Sequence, residues 1–164
     1  MANSSIIGKS KRKIIKEFTN DDEIVKAIDS STITDPEELI GTHIFDYDKN
    51  PNTINTVETF ILVLVNIPTA SHYFDSTIMV TPRIEIWIVS HFNHMKVNNI
   101  PKINMNRNDY LAELIDRKIN GRTDFGIGEM KLESNTEGAF QADYVYRRLI
   151  FIGQDINASL CKEI

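Results

Sequence analysis

Alternating and helical patterns of apolar and polar residues predict most of the secondary structure of this chain. Apolar residues dominate 57–67 and 83–92 and occur on both faces of each segment, which predicts two buried strands. Two further strands are predicted at 127–133, where polar and apolar residues alternate, and at 143–152. Residues 134–138, with the sequence Ser-Asn-Thr-Glu-Gly, are predicted to join this second pair as a turn.

Helical spacing and capping residues predict the helical segments. Apolar residues within 6–18 bracket a basic run, and residues 19–28 begin with a capping side chain followed by acids. Residues 35–41 combine a cap, a proline and a terminal glycine, which predicts a short helical turn. The clearest helix is 106–119, which begins at an asparagine cap and ends before Gly121.

These elements define an α+β protein with a four-stranded, mainly antiparallel sheet packed with helices, in the order α-(α)-ββ-α-ββ. A chain of 164 residues fits a single domain with its own core. Within residues 1–164 we expect a basic N-terminal arm or helix at 1–19, a core at 20–152 and a C-terminal tail at 153–164.

Two long connections interrupt the predicted elements. Residues 42–56 contain Asp, Asn and Pro and are predicted to form a mostly irregular loop, and residues 68–82 link the first two strands. Connections of this length in a compact domain are usually functional or disordered. We therefore expect both loops to be mobile in the free chain and to dock on neighbouring proteins, with the candidate contacts Phe45, Tyr47, Tyr73 and Phe74.

The first strand pair is apolar on both of its faces, since successive side chains of a strand point to opposite sides. One layer of helices covers one face, so the second face needs either the N-terminal helices or a partner protein. An exposed apolar patch usually marks an interface, which favours the partner. The last strand adds tyrosine and arginine, which are enriched in interface cores and also occur in single-strand nucleic-acid binders. The candidate subunit-interface residues are Phe60, Leu62, Leu64, Trp87, Val89, Tyr144, Tyr146 and Arg147.

Charge and cysteine content narrow the function classes. A formal net charge of −5 argues against a protein that coats nucleic acid, but it suits a channel through which DNA slides without sticking. The single cysteine, Cys161, excludes an internal disulfide and a cysteine-based zinc site. The most apolar run, 60–65, is too short for a membrane helix, and the N-terminus does not resemble a secretory signal. We expect no membrane partner.

Few sequence motifs in this chain indicate metal binding or catalysis. His91 and His94 have a spacing that metal sites sometimes use, but no nearby acid or thiol completes a ligand set. Asp124, Glu129 and Lys131 resemble the core of a metal-dependent nuclease, in which two acids hold Mg²⁺ and the lysine helps to activate water. Alternating polar residues on an exposed strand explain Glu129 and Lys131 without catalysis. We therefore expect no catalytic residue, no metal and no cofactor, and the nuclease remains the alternative.

The order of elements resembles the tail-terminator and tail-to-head joining (neck) proteins of long-tailed bacteriophages. The likeness spans residues 20–152 and is carried by the strand 84–89, the helix 109–115 that follows it, and the closing strand 143–151. The two long loops and the basic N-terminus are additions to that pattern. Terminator, adjacent neck ring and head-completion roles therefore all stay open.

The resemblance implies a structural protein and not an enzyme. Its implied form is a homo-oligomeric ring, typically of six copies, that caps the tail tube and docks on the head-connector proteins, with DNA only passing through the central hole. The implied location is the virion tail or neck, after assembly in the cytoplasm of the bacterial host. Another homo-oligomeric adaptor protein would share the same sequence features.

Overall fold

The computed structural model describes residues 4–49, 56–67, 71–72, 78–79 and 81–153. The helices in this part of the chain are α1 (Ser4–Thr19), α2 (Asp22–Ile28) and α3 (Arg107–Ile119), with 3₁₀ turns at Pro36–Leu39 and Phe92–His94. The strands are β1 (Ile44–Phe45), β2 (Thr59–Asn66), β3 (Ser71–His72), β4 (Ile78–Met79), β5 (Arg83–His91), β6 (Lys131–Gln141) and β7 (Tyr144–Ile152).

The main sheet has five strands in the order β1-β2-β5-β7-β6. The β2–β5, β5–β7 and β7–β6 pairs are antiparallel, whereas β1 runs parallel to β2. The α+β class is confirmed, but the prediction of four strands is wrong. The fifth strand, β1, lies within 42–56, which was expected to be irregular, and its two residues are too few to show a period. Strands β3 and β4, in the predicted connection 68–82, pair with each other in a separate small sheet.

Strand β6 differs from the strand predicted at 127–133. It begins at Lys131 and continues to Gln141, so residues 134–138 pair with β7 instead of forming a turn. The polar sequence of β6 suits the edge of a sheet, where many side chains meet water. Its pairing with β7 is irregular at Leu132/Ser134 and again at Ala139/Gln141, as is common at sheet edges.

The three helices pack on one face of this sheet. Ile61, Ile86 and Leu149, from the three central strands, are fully buried in a core that also contains Phe18 of α1 and Leu111 of α3. Of the two alternatives expected for 1–19, an arm or a helix, the structure has a helix, α1. Helix α1 is an integral part of the core and not an arm, because its apolar stripe is buried as deeply as those of the other helices.

A buried arginine fastens α3 to the elements around it. Arg107 is 1% exposed and lies in the first turn of α3, which Asn106 caps. Its Nε donates to the carbonyl oxygen of His94, and its Nη1 donates to that of Ala27 at the end of α2. Its Nη2 donates to Asp29 Oδ2 at 3.0 Å. This guanidinium satisfies acceptors from two separate segments, which fixes the positions of α2 and of the β5–α3 connection.

Candidate self-association surface

The second face of the sheet carries a separate apolar cluster, and no residue of the three helices belongs to it. We call this cluster the aromatic face. The buried members are Phe45, Phe60, Leu62, Val89 and Tyr144, and the half-buried members are Trp87, Phe140 and Tyr146. Most of the predicted interface residues are therefore together on one face, but several of them are already covered within the single chain.

The half-buried rings form one patch across β5, β7 and β6. Strand pairing places Leu62 opposite Trp87 and Val89 opposite Tyr146. The ring centroids of Trp87 and Tyr146 are 4.8 Å apart, and the Phe140 centroid is 6.1 Å from each of them. Such cross-strand aromatic pairs stabilise a sheet and hold the rings in a fixed arrangement. The patch is therefore a preformed apolar surface that remains partly open to solvent.

An ion pair borders this aromatic patch. Arg148 lies on the same face as Trp87, directly opposite it in the β5–β7 register, and donates from Nη2 to Glu85 Oε2 at 2.6 Å. The Arg148 guanidinium lies over the Trp87 ring, 5.0 Å from its centroid. Glu85 is 9% exposed, so this ion pair is largely buried on the Glu85 side. A stacked arginine beside tryptophan and tyrosine is a common composition of interface centres.

The other end of the aromatic face is closed by β1. Phe60 stacks on the His43 ring with centroids 5.5 Å apart, and Phe45 lies 6.3 Å from Phe60. His43 Nε2 is 3.2 Å from Glu58 Oε2, yet burial lowers the pKa of His43 despite this carboxylate. The pairing of β1 with β2 buries Phe45, so this residue does not lie in a docking loop.

Of the other predicted docking residues, Tyr47 is described and is 49% exposed, with its ring edge-on to Phe45. Tyr73 and Phe74 lie outside the described residues.

Two of the predicted interface residues do not belong to the aromatic face. Leu64 is half-buried and is not part of the cluster. Arg147 lies on the helical face, where its Nη2 contacts Asp109 of α3 at 2.5 Å and Glu137 of β6 at 2.9 Å. Arg147 was predicted as an interface residue because arginine is enriched in interface cores. Period-two alternation assigns Arg148, and not Arg147, to the side of Tyr146.

A buried polar network lies at the end of β2 and β5 on the helical face. Thr59 Oγ1 is 2.8 Å from Ser90 Oγ and 2.9 Å from His94 Nδ1, and Ser90 donates to Asn108 Oδ1 at 2.6 Å. His94 Nε2 is 3.6 Å from Asp29 Oδ2. The pKa of His94 is lowered, chiefly by burial and then by the charge of Arg107.

This hydroxyl–imidazole–carboxylate arrangement resembles a nucleophile with its base, but both hydroxyls are fully buried and out of reach of any substrate. We interpret the network as structural. The neighbouring His91 accepts a hydrogen bond from its own turn, at the backbone N of Asn93. Among the described residues, no group of His, Cys, Asp or Glu side chains is arranged to hold a metal ion.

The residues of the nuclease alternative are not gathered into a pocket. Glu129 and Lys131 have side chains that are 51% and 73% exposed and lie 3.6 Å from each other. The Asp124 carboxylate is held by Arg122 at 2.6 Å and by Lys13 at 2.8 Å, and these cations lower its pKa strongly. Asp124 thus fastens α1 to the loop before β6, a role that no local sequence pattern indicates.

The fold defines an α+β protein with helices on one face of a five-stranded sheet and an aromatic cluster on the other. The model of the YomW family matches residues 14–152 of the chain, and the chain belongs to this family. A search of curated proteins found no match. None of the described helices combines the length and the apolar character that crossing a membrane requires.

Proposed function

We propose that this chain is a structural protein of a phage tail or neck that assembles with copies of itself into a ring. The ring, with six copies as the expected number, caps the tail tube and joins it to the head connector. DNA passes through its central channel. The partners are then further copies of the chain, the tail-tube protein and the head-connector proteins.

The observation that carries the proposal is the aromatic patch formed by Trp87, Phe140 and Tyr146. These three rings are half-buried, their centroids lie within 6.1 Å of one another, and the apolar cluster that they belong to contains no residue of the described helices. Burial of apolar area contributes roughly 25 cal/mol per Å², so covering three rings with a second copy is a substantial driving force. The Arg148–Glu85 pair at its border supplies polar groups that a neighbouring copy can match.

The position of the patch favours contact between copies side by side. It extends from β5 to β6, which is the last strand in the order of the main sheet. An edge strand offers backbone groups for pairing unless charges or irregularities protect it, and β6 has both. A second copy that covers the patch therefore contacts its side chains and does not pair with the backbone of β6. The two irregularities of β6 limit the addition of further strands to the sheet. A contact between two different surfaces of the same protein closes into a ring when its rotation allows.

Two observations support the phage assignment specifically. The name of the YomW family, to which the chain belongs, hints at a phage-related gene. The order of helices and strands resembles tail-terminator and neck proteins, and the α+β arrangement is consistent with that resemblance. A role in the virion explains why an apolar patch is kept on a small protein without a gathered set of catalytic groups among the described residues.

Negative-stain electron microscopy of the purified protein tests the proposal. Wild-type protein is expected to give rings of uniform diameter with a central hole, and Phe140→Asp is expected to abolish them. Met105→Asp is the matched control, because Met105 is also apolar and accessible, at 42%, but lies outside the aromatic face. Particles without a hole, or rings that persist in Phe140→Asp, would argue instead for a different kind of oligomeric adaptor or a different contact.

A further inference from the structure

The outward face of α1 carries no acidic side chain. The exposed residues of this helix within its described part are Ser5, Gly8, Lys9, Arg12 and Lys16. Lys9, Arg12 and Lys16 are three and four positions apart, so they lie in one row along the helix. We call these three residues the basic stripe. The lysines on either side of it are tied to the chain, Lys11 to the carbonyl oxygen of Asp46 and Lys13 to Asp124.

Charge is distributed unevenly along the sequence. Helix α1 contains five Lys or Arg and one Glu, a net charge of +4, whereas the rest of the chain contains 13 Lys or Arg and 22 Asp or Glu, a net charge of −9. The one acid of α1, Glu17, is held by Arg122 at 2.8 Å. Among the described residues, no carboxylate forms a salt bridge with the basic stripe, although most arginines of the chain have such a partner.

We propose that the basic stripe binds the phosphate backbone of DNA. Lys9 and Lys16 are about 10.5 Å apart along the helix axis at 1.5 Å per residue, a distance over which duplex DNA presents several phosphates. The outward side chains of α1 offer point charges and one guanidinium to phosphate oxygens, and no amide side chain for reading base edges. The contact is therefore independent of sequence and sensitive to salt.

The burial of the apolar side of α1 argues against a contact with a membrane. A basic amphipathic helix binds lipid by inserting its apolar side into the bilayer. In α1 that side consists of Ile14, Ile15 and Phe18, which are buried in the core of the protein. The helix would have to leave the fold to insert. The choice of DNA over an acidic protein surface rests on the proposed function, in which the chain surrounds DNA.

The test measures binding of the purified protein to a fluorescent duplex of random sequence over a range of salt concentrations. The variant Lys9→Gln/Arg12→Gln/Lys16→Gln removes the stripe, and glutamine keeps the helix propensity of the residues it replaces. The matched control, Lys26→Gln/Lys96→Gln/Lys102→Gln, removes three exposed lysines outside α1 that also lack a salt bridge among the described residues. Both variants change the net charge by the same amount.

We expect wild type and control to bind alike, and binding of the stripe variant to be much weaker. The slope of log K against log salt should fall by about 2.7 in magnitude, because each phosphate that a side chain of the stripe neutralises adds roughly 0.9 to it. Equal loss in both variants, or no binding by wild type at low salt, would overturn the proposal. If the stripe variant has a different native mass but an unchanged affinity for DNA, the basic stripe binds a second copy of the chain and not DNA. Wild type that forms rings but does not bind DNA would overturn this proposal alone. Wild type that binds DNA through the stripe but stays monomeric would overturn ring assembly alone.

Discussion

Tyr146 lies directly opposite Gly138 across the β6–β7 pair, and its ring occupies the space that a side chain at position 138 would need. A Cβ atom on Gly138 would lie 2.8 Å from Tyr146 Oη and 2.9 Å from Tyr146 Cζ, which is closer than real Cβ contacts. The glycine therefore leaves room over the edge strand for the hydroxyl end of the Tyr146 ring. An aromatic ring over a strand glycine also compensates for the missing side chain there.

Substitution of Gly138 by alanine should disturb the aromatic patch. We expect Gly138→Ala to lower the free energy of unfolding by about 1–3 kcal/mol, because overpacking displaces the Tyr146 ring from its present position beside Trp87. Trp87 is the single tryptophan of the chain, so its fluorescence emission reports this displacement directly. Gly8→Ala is the control. No atom lies within 4 Å of the new methyl group, and alanine in a helix should stabilise by roughly 0.5–1 kcal/mol. Similar effects of the two substitutions would contradict this account.

Arg107 should be far more important for stability than another arginine of the same helix. Arg107→Met leaves buried carbonyl oxygens and Asp29 without their donor, so we expect a loss of about 3–5 kcal/mol in chemical denaturation. Arg117→Met removes only an exposed pair with Glu23, at 3.5 Å, and should change stability by less than about 0.5 kcal/mol. A tolerated Arg107→Met substitution would mean that water satisfies these acceptors.

Acid should destabilise the fold through the buried His43 and the half-buried His94. Burial lowers the pKa of His43 and of His94 below the ordinary value of about 6.5, so the unfolded chain binds protons more readily than the folded chain. The stability that His43 and His94 contribute in their uncharged form is complete above pH 6.5. It is lost as the pH falls through the pKa values that these histidines have in the folded chain. Each histidine adds a slope of up to about 1.4 kcal/mol per pH unit.

Urea denaturation of wild type and of His43→Gln/His94→Gln, between about pH 5 and pH 7.5, checks this prediction. The double variant should have a much shallower dependence on pH in this range. Carboxylates with lowered pKa values, Glu17 and Asp124, act only at lower pH, since their ordinary values are 4.5 and 3.8. A pH dependence that is unchanged in the double variant would assign the acid sensitivity to other groups.

The sequence predicted those elements whose own residues determine them. Helix α3 has a cap and an apolar stripe, and Asn106 accepts from the backbone N of Asp109 as a cap should. The central strands β2 and β5 were predicted nearly to their ends because each contains an uninterrupted apolar run, 60–65 in β2 and 86–89 in β5. Edge elements were not predictable in this way. β6 is polar because it faces water, so its Ser-Asn-Thr-Glu-Gly segment has the composition of a turn.

The candidate surface was predictable in part. Alternation along β5 separates Trp87 and Val89 from the isoleucines of that strand, and strand pairing then brings them onto one face with Tyr144 and Tyr146 of β7. The same alternation would have added Glu85 and Arg148 to the residues of this face. Nothing in the local sequence indicated that they form an ion pair, because 63 positions separate them in the chain. The role of Arg107 had no local signal either, because an arginine in the first turn of a helix is usually solvated.

The aromatic patch is proposed to hold copies of the chain together. Phe140→Asp places a charge in this patch at low cost to the isolated fold, because Phe140 is half-buried on the edge strand. A buried charge would prevent association. Trp87→Asp provides a second variant on the central strand β5, and thermal unfolding shows whether each protein is folded.

The native mass of the purified protein in solution is the most direct test. We predict that wild type has a mass that is a multiple of 18.8 kDa, with six copies expected, and that Met105→Asp has the same mass. Folded Phe140→Asp should be a soluble monomer of about 18.8 kDa. A wild-type protein that is monomeric at high concentration, or a Phe140→Asp protein that keeps the wild-type mass, would contradict assembly through the aromatic patch.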